Sequence, residues 1–189
     1  KEKYPSYFCK PVPSFGSTDK PFLLIVGLAP GMHGANNTGR PFTGDHAGIL
    51  LYKTLYKYGF SNNPNSFQND NLKLNRCRIT NAVKCLPPEN KPTTTEINNC
   101  NNFLKEEIND LKKGSVVLAL GMIAHNAILK SQGLIKSNYK FTHGGRHLLP
   151  NELILYDSYH CSRYNTQTKR LTEAMFFDVF LMINKERGL

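Results

Sequence analysis

The chain has 189 residues, enough for one sizeable core and a single domain over residues 1–189. Hydrophobic residues at 40% and aromatics at 11% exclude a disordered chain. An excess of 24 Lys+Arg over 14 Asp+Glu, a formal net charge of +10, favours polyanionic partners such as nucleic acid or anionic lipid, unless it reflects no more than a basic proteome.

No apolar run is long enough for a membrane span, and the opening residues KEKYPSYFCKPVPSFG lack a signal-peptide core, so a cytoplasmic protein with no membrane partner is expected. Five cysteines at irregular spacing (Cys9, Cys77, Cys85, Cys100, Cys161) argue against a secreted disulfide scaffold and for reduced thiols or metal ligands.

In chain order, Phe22 to Gly27 (FLLIVG) is a short continuous apolar run, which predicts a strand covered on both faces. The glycine-rich GLAPGMHGANNTGRPFTGD follows, then a predicted helix with apolar side chains at helical intervals from Ile49 to Tyr58. Polar NSFQNDNL reads as loop, and Cys77 to Val83 (CRITNAV) as the second strand, broken by the prolines of CLPPENKP. Thr residues with a Glu at capping-box distance predict a helix from near Thr94, closed by Gly114. SVVLALG is a third strand running into a helix over AHNAILKSQG, and Glu152 to Ser158 is a fourth, leading to the loop YHCSRYNT. A last helix is expected from about Gln167 to Asn184. Strands alternating with helices imply right-handed crossovers and a mainly parallel sheet covered on both sides, with its ligand at the carboxyl ends of the strands.

Three polar segments fall at those ends. The glycine loop matches neither the dinucleotide fingerprint nor a P-loop, so a phosphate cradle and a plain structural loop both stand. In YHCSRYNT, His160 can donate to a leaving group gaining negative charge, whereas a strand-end histidine is also a common structural hydrogen-bonder. Asn81 offers both a donor and an acceptor.

GLAPGMHGANNTGRPFTGD, ITNAVKCLPPENKP and SYHCSRYNT, in that order after successive strands, resemble the three signature segments of the type B, or family 5, iron-sulfur uracil-DNA glycosylases. KPVPSFG and HGGRH extend the resemblance over nearly all of the chain. It implies a three-layer α/β/α sandwich around a four-stranded, mainly parallel sheet, and a monofunctional hydrolase that cuts the N-glycosidic bond of uracil, or of other deaminated bases, in the first step of base excision repair.

Carried over by motif, Asn81 reads the uracil edge, Phe42 stacks on the extruded base, and Gly27, Leu28 and Ala29 line the pocket through backbone groups. His160 stabilises the departing uracil anion. Asp45 orients or activates water, or simply caps the helix starting at His46. Leu28 stands where many relatives outside the branch carry a carboxylate or amide, so water is handled elsewhere. Arg163 and Tyr164 are wedge candidates for the gap a flipped base leaves, and Ser162, Asn165, Thr166, Lys169 and Arg170 are placed to grip phosphates.

The resemblance also implies a [4Fe–4S] cluster. Cys85 and Cys100 match its second cysteine pair; the first, a CxxC, is not in the chain and is expected upstream of Lys1, the rival account being a branch that lost its cluster. The partner implied is uracil-containing DNA, and the state a monomer. Two other readings stay open: a non-catalytic DNA-binding relative that recognises damage or abasic sites, and a nucleotide-cofactor enzyme using the glycine loop.

Overall fold

The computed structural model describes residues 4–188. Each of the four predicted apolar runs forms a strand: β2 (Leu23–Gly27), β3 (Cys77–Asn81), β4 (Val116–Leu120) and β6 (Ile154–Ser158). All their residues are buried, which explains why they read as continuous apolar stretches rather than alternating ones. Two short strands complete the set, β1 (Phe15–Gly16) and β5 (Arg146–Leu148). The strand order is β1-β3-β2-β4-β6-β5. The inner four are parallel, whereas β1 and β5 pair antiparallel at the two edges.

Helices cover both faces. Leu23 and Ile25 of β2 pack with Leu51 and Leu55 of α2 (His46–Lys57) and with Phe176, Phe180 and Ile183 of α6 (Glu173–Glu186). Leu24 and Val26 face the other way, onto Leu104 and Ile108 of α3 (Thr94–Asn109) and Ala124 and Ile128 of α4 (Met122–Ser131). Alternate side chains of one strand thus serve two cores, and each leucine removed from water contributes about 1.5–3 kcal/mol. The result is the expected three-layer α/β/α sandwich, with edge strands added. Among the described residues no helix is long and apolar enough to cross a membrane.

Local chemistry sets the helix ends. The side chain of Thr93 accepts from the Glu96 backbone N–H while Glu96 reaches back to Thr93, so the capping box starts α3 where the pattern put it. The helix stops at Asn109, short of Gly114, because Asp110 takes the C-cap position. α2 begins at His46 and buries Ala47, Leu51, Tyr52 and Leu55, leaving Ile49 66% exposed on the outer face.

The helix foreseen from Gln167 to Asn184 is two helices, α5 (Arg163–Gln167) and α6, and the first lies in what read as loop. Thr172 separates them, its hydroxyl accepting from the Met175 N–H at 3.2 Å as the N-cap of α6. A four-residue helix, α1 (Ala35–Thr38), sits inside the glycine-rich segment. The last strand starts at Ile154, after a turn in which Glu152 takes a left-handed φ of 61°.

Candidate active site

From β2 the chain crosses to β3 on one side, and from β3 it returns past β2 to β4 on the other, so the winding direction reverses at β2. Such a switch point opens a crevice at the carboxyl ends of the strands. A cleft of about 260 Å³ lies there, lined by Leu28, Ala29, Phe42, Asp45, Asn81 and His160 together with Pro30, Gly31, His46, Ala47, Ser162 and Arg163. Three segments far apart in sequence meet in it.

Asn81 and Gly27 are register partners across β3 and β2. A Cβ on residue 27 would overlap the Asn81 side chain and approach Phe42 Cζ to 2.6 Å. Glycine is therefore what lets the amide and the aromatic ring share one end of the cleft. Gly27 itself is not on the lining surface; it lies beneath these two side chains, its carbonyl accepting from the Ala82 N–H at 2.9 Å. Asn81 is buried and its Oδ1 has no hydrogen-bond partner. An unpaired buried acceptor costs about 1–3 kcal/mol, so the fold holds this atom at a cost that a donor from a ligand would offset. Phe42 adopts a left-handed φ of 59°, an outlier for an aromatic residue and a conformation retained only where surrounding packing enforces it. Its ring lies 6.0 Å from the His160 ring, 28° from parallel.

Replacing Gly27 by alanine is expected to displace both Asn81 and Phe42 and to lower the activity of this cleft at least about tenfold while circular dichroism stays native. Unchanged activity would mean that the close approach has no bearing on the site.

Asp45 occupies the N-cap position of α2, yet its side chain makes no capping hydrogen bond to that helix. The carboxylate turns away and accepts from the Ala35 N–H at 3.3 Å. A Cβ on Gly31 or Gly34 would overlap it, so those glycines form the bed on which it lies. Burial pushes the carboxyl pKa above its ordinary value, opposed by the Ala35 hydrogen bond. Of the two readings open for Asp45, side-chain capping is absent, and a desolvated carboxylate on the cleft wall is what the geometry contains.

His160 follows β6 and lines the same cleft. Desolvation lowers its pKa to about 4, so at neutral pH the ring is uncharged and carries one N–H donor. Its segment is tied down locally: Asn165 Nδ2 donates to the His160 carbonyl at 2.8 Å, and Ser162 Oγ accepts from the Asn165 N–H as the N-cap of α5. Ser162 and Asn165 thus have structural duties beside the phosphate contacts foreseen for them. Arg163, exposed on α5, lines the cleft, and Tyr164 beside it on the same helix is 70% exposed. Thr166 is half-buried, its hydroxyl 3.2 Å from His46 Nε2, and Lys169 and Arg170 are exposed.

Gly31, one of the loop glycines expected to let backbone approach a ligand, lines the cleft, and Pro30, His46 and Ala47 line it without having been singled out from the sequence. His46 joins the start of α2 to α5, and its only signal was its place beside Asp45.

Cys85, exposed, follows β3, and Cys100, half-buried, lies on α3. Partial burial raises the Cys85 pKa, with Cys100 and Glu96 adding to the shift, which places the two thiols within each other's field. The Lys84 N–H points to Cys100 Sγ at 3.5 Å, the kind of donor that sulfur ligands of a cluster accept. Cys77 and Cys161 are fully buried in the apolar core, and Cys9 sits 3.6 Å from Asn36 Nδ2. Cys85 and Cys100 thus lie close enough to act on each other and could offer two thiolates to a common ligand.

The family model of the uracil DNA glycosylase superfamily matches residues 13–182. The chain is 46% identical over 183 residues to a type-5 uracil-DNA glycosylase of Thermus thermophilus, covering 97% of this chain and 83% of the relative. It is 42% identical over 184 residues to one of Pyrobaculum aerophilum, covering 97% and 79%. A crystal structure of wild-type SMUG2 from Pedobacter heparinus superposes with a TM-score of 0.52 at 13% identity, covering 89% of this chain and 76% of that one, a likeness of fold. Sequence similarity over nearly the whole chain and the cleft at the strand ends lead to one assignment: this chain belongs to the uracil DNA glycosylase superfamily, in its type-5 branch.

Proposed function

We propose that the chain is a monofunctional uracil-DNA glycosylase, acting as a monomer on DNA and hydrolysing the bond between C1′ of the deoxyribose and N1 of uracil. The observation that carries this reading is the unpaired, buried Oδ1 of Asn81 in a cleft walled by Phe42 and His160. At about 260 Å³ the cleft is smaller than drug-sized sites, as a receptor for one nucleobase should be.

A base inside a duplex must leave the stack before its glycosidic bond reaches such a cleft. Uracil enters with its face on Phe42, and its N3–H donates to Asn81 Oδ1 while the amide NH₂ donates to the neighbouring carbonyl oxygen. Leu28 and Ala29 close the pocket, with Gly27 beneath; no carboxylate stands at position 28. As the C1′–N1 bond breaks, negative charge flows into the uracil ring and positive charge onto the sugar. The neutral His160 imidazole donates a hydrogen bond to the uracil oxygen that gains charge, without needing to transfer its proton. Asp45 takes a proton from the water as its oxygen bonds to C1′ and stabilises the cationic sugar; that proton returns through solvent to the departed uracil anion, and the products are uracil and an abasic site. Arg163 and Tyr164 fill the space the nucleotide vacates, and Ser162, Asn165, Thr166, Lys169 and Arg170 hold flanking phosphates, favoured by the net charge of +10.

Cys85 and Cys100 would hold a [4Fe–4S] cluster, with two thiolates supplied from outside the described residues. Through these two residues the loop after β3 would be tied to α3, and the group would supply structural support there, not chemistry at the cleft.

The test is an oligonucleotide containing a single uracil, incubated with the protein and treated with alkali. Cleavage at the uracil only after alkali is the expected result. Tight binding without cleavage would transfer the assignment to a damage-recognition module, and cleavage without alkali would exclude a monofunctional enzyme.

A further inference from the structure

We propose that His125, His147 and Asp157 form a binding site for a zinc-type divalent cation, separate from the catalytic cleft. One ligand atom from each lies within 4.8 Å of the others. They come from three elements: His125 from α4, His147 from the edge strand β5, and Asp157 from β6, in the chain just ahead of His160. The side chains of His125 and Asp157 are 1% and 0% exposed, whereas that of His147, at 18%, offers a way in from solvent.

The hydrogen bonding fixes the chemistry. His125 Nε2 lies 2.9 Å from the Tyr139 carbonyl, which can only accept, so this nitrogen carries a hydrogen. A backbone carbonyl on the remote ring nitrogen is the usual device for orienting a metal-binding imidazole. His125 Nδ1 then faces Asp157 Oδ1 at 2.7 Å. A nitrogen lone pair and a carboxylate oxygen repel at that distance unless a positive species lies between them, either one proton or a metal cation. The other carboxylate oxygen, Oδ2, lies 3.3 Å from His147 Nε2, so a single buried carboxylate faces two imidazole nitrogens. Two imidazoles and a carboxylate are a ligand set suited to zinc, with water as the fourth ligand. The Phe141 and Tyr139 rings stand edge-on to His125 and His147, at 5.7 Å and 5.8 Å, and screen the group from water.

Binding is balanced as an exchange. The cation takes the Nδ1 lone pair of His125 and one oxygen of Asp157, and the proton they share leaves to solvent. His147, as the Nδ1–H tautomer, supplies Nε2 without losing a proton. Of the charged groups acting on His125, Asp157 favours positive charge there and Lys136 opposes it. The bound ion would clamp β5 and α4 to the strand that leads into His160.

The experiment titrates the full chain with Zn²⁺ by calorimetry in two buffers of different protonation enthalpy, beside His147→Ala, Asp157→Asn and a Cys85→Ser/Cys100→Ser double variant. One zinc should bind the parent and the cysteine variant alike, releasing about one proton, and raise the melting temperature of both. Affinity should fall at least about tenfold in His147→Ala, whose partly exposed position preserves the test if Asp157→Asn does not fold. Zinc lost from the cysteine variant but kept by His147→Ala, or no zinc uptake by the parent, overturns the proposal. Neither outcome depends on whether the protein excises uracil.

Discussion

Replacing His160 with alanine should lower single-turnover excision of uracil by about 10²–10³-fold, the usual loss when one preorganised donor to a developing anion is removed. Binding of uracil-containing DNA should change little, because affinity rests mainly on phosphate contacts that this side chain does not make. His160→Gln, which keeps a neutral N–H donor, should recover part of the rate. The same desolvation that holds the pKa at about 4 makes a pH statement. An unfolded histidine titrates near about 6.5, so between the two values the unfolded chain binds a proton that the folded chain refuses. Folding stability from this group is therefore complete above the unfolded value and declines as pH falls towards the folded one. Thermal melts of parent and alanine variant across that window should converge at neutral pH and separate in acid, with the parent losing more. Equal loss of excision and of DNA binding in His160→Ala would instead make the ring a prop for the α5 segment.

The second large effect is expected at Asp45. Asp45→Asn keeps the shape of the side chain and an acceptor for the Ala35 N–H but removes the charge, and excision should fall about 10²–10⁴-fold if the carboxylate serves the attacking water. Burial raises this carboxyl's pKa, so the folded state holds its proton more tightly than the unfolded chain does. The stability it contributes is present below the unfolded pKa and lost as pH rises through the folded one, leaving the ionised group a cost at neutral pH. Asn at this position should thus leave the melting temperature at neutral pH unchanged or higher while activity collapses, the trade expected of a residue retained for chemistry. The rising acid limb of the parent's rate profile should lie above the ordinary carboxylate range and vanish in the variant. A variant that excises normally but melts lower would reduce Asp45 to an anchor for the glycine-rich segment.

The four apolar runs of the inner sheet, the capping box at Thr93 and the crossing of three polar segments at the strand ends were all legible from residue order, because burial on both faces and local capping leave marks within a few neighbouring residues. β1, β5 and α1 were not, being two to four residues long and held by neighbours remote in sequence. The division of the last helix was missed for a different reason: Thr172 caps α6 through one hydroxyl, a signal easily lost inside an otherwise helical stretch. Asn81, Phe42, Asp45 and His160 could be chosen from their types and motifs, but not how they are held. That Gly27 yields its space to Asn81 and Phe42, that Gly31 and Gly34 make a bed for the Asp45 carboxylate, and that Asp45 faces away from the helix it precedes are decided by contacts between segments. The sequence by itself determined which elements form and which chemical groups stand at the strand ends. Only the tertiary structure decided the desolvation that keeps His160 neutral and the unpaired state of Asn81 Oδ1, because both depend on how much water the surrounding chain excludes, a property no single segment possesses.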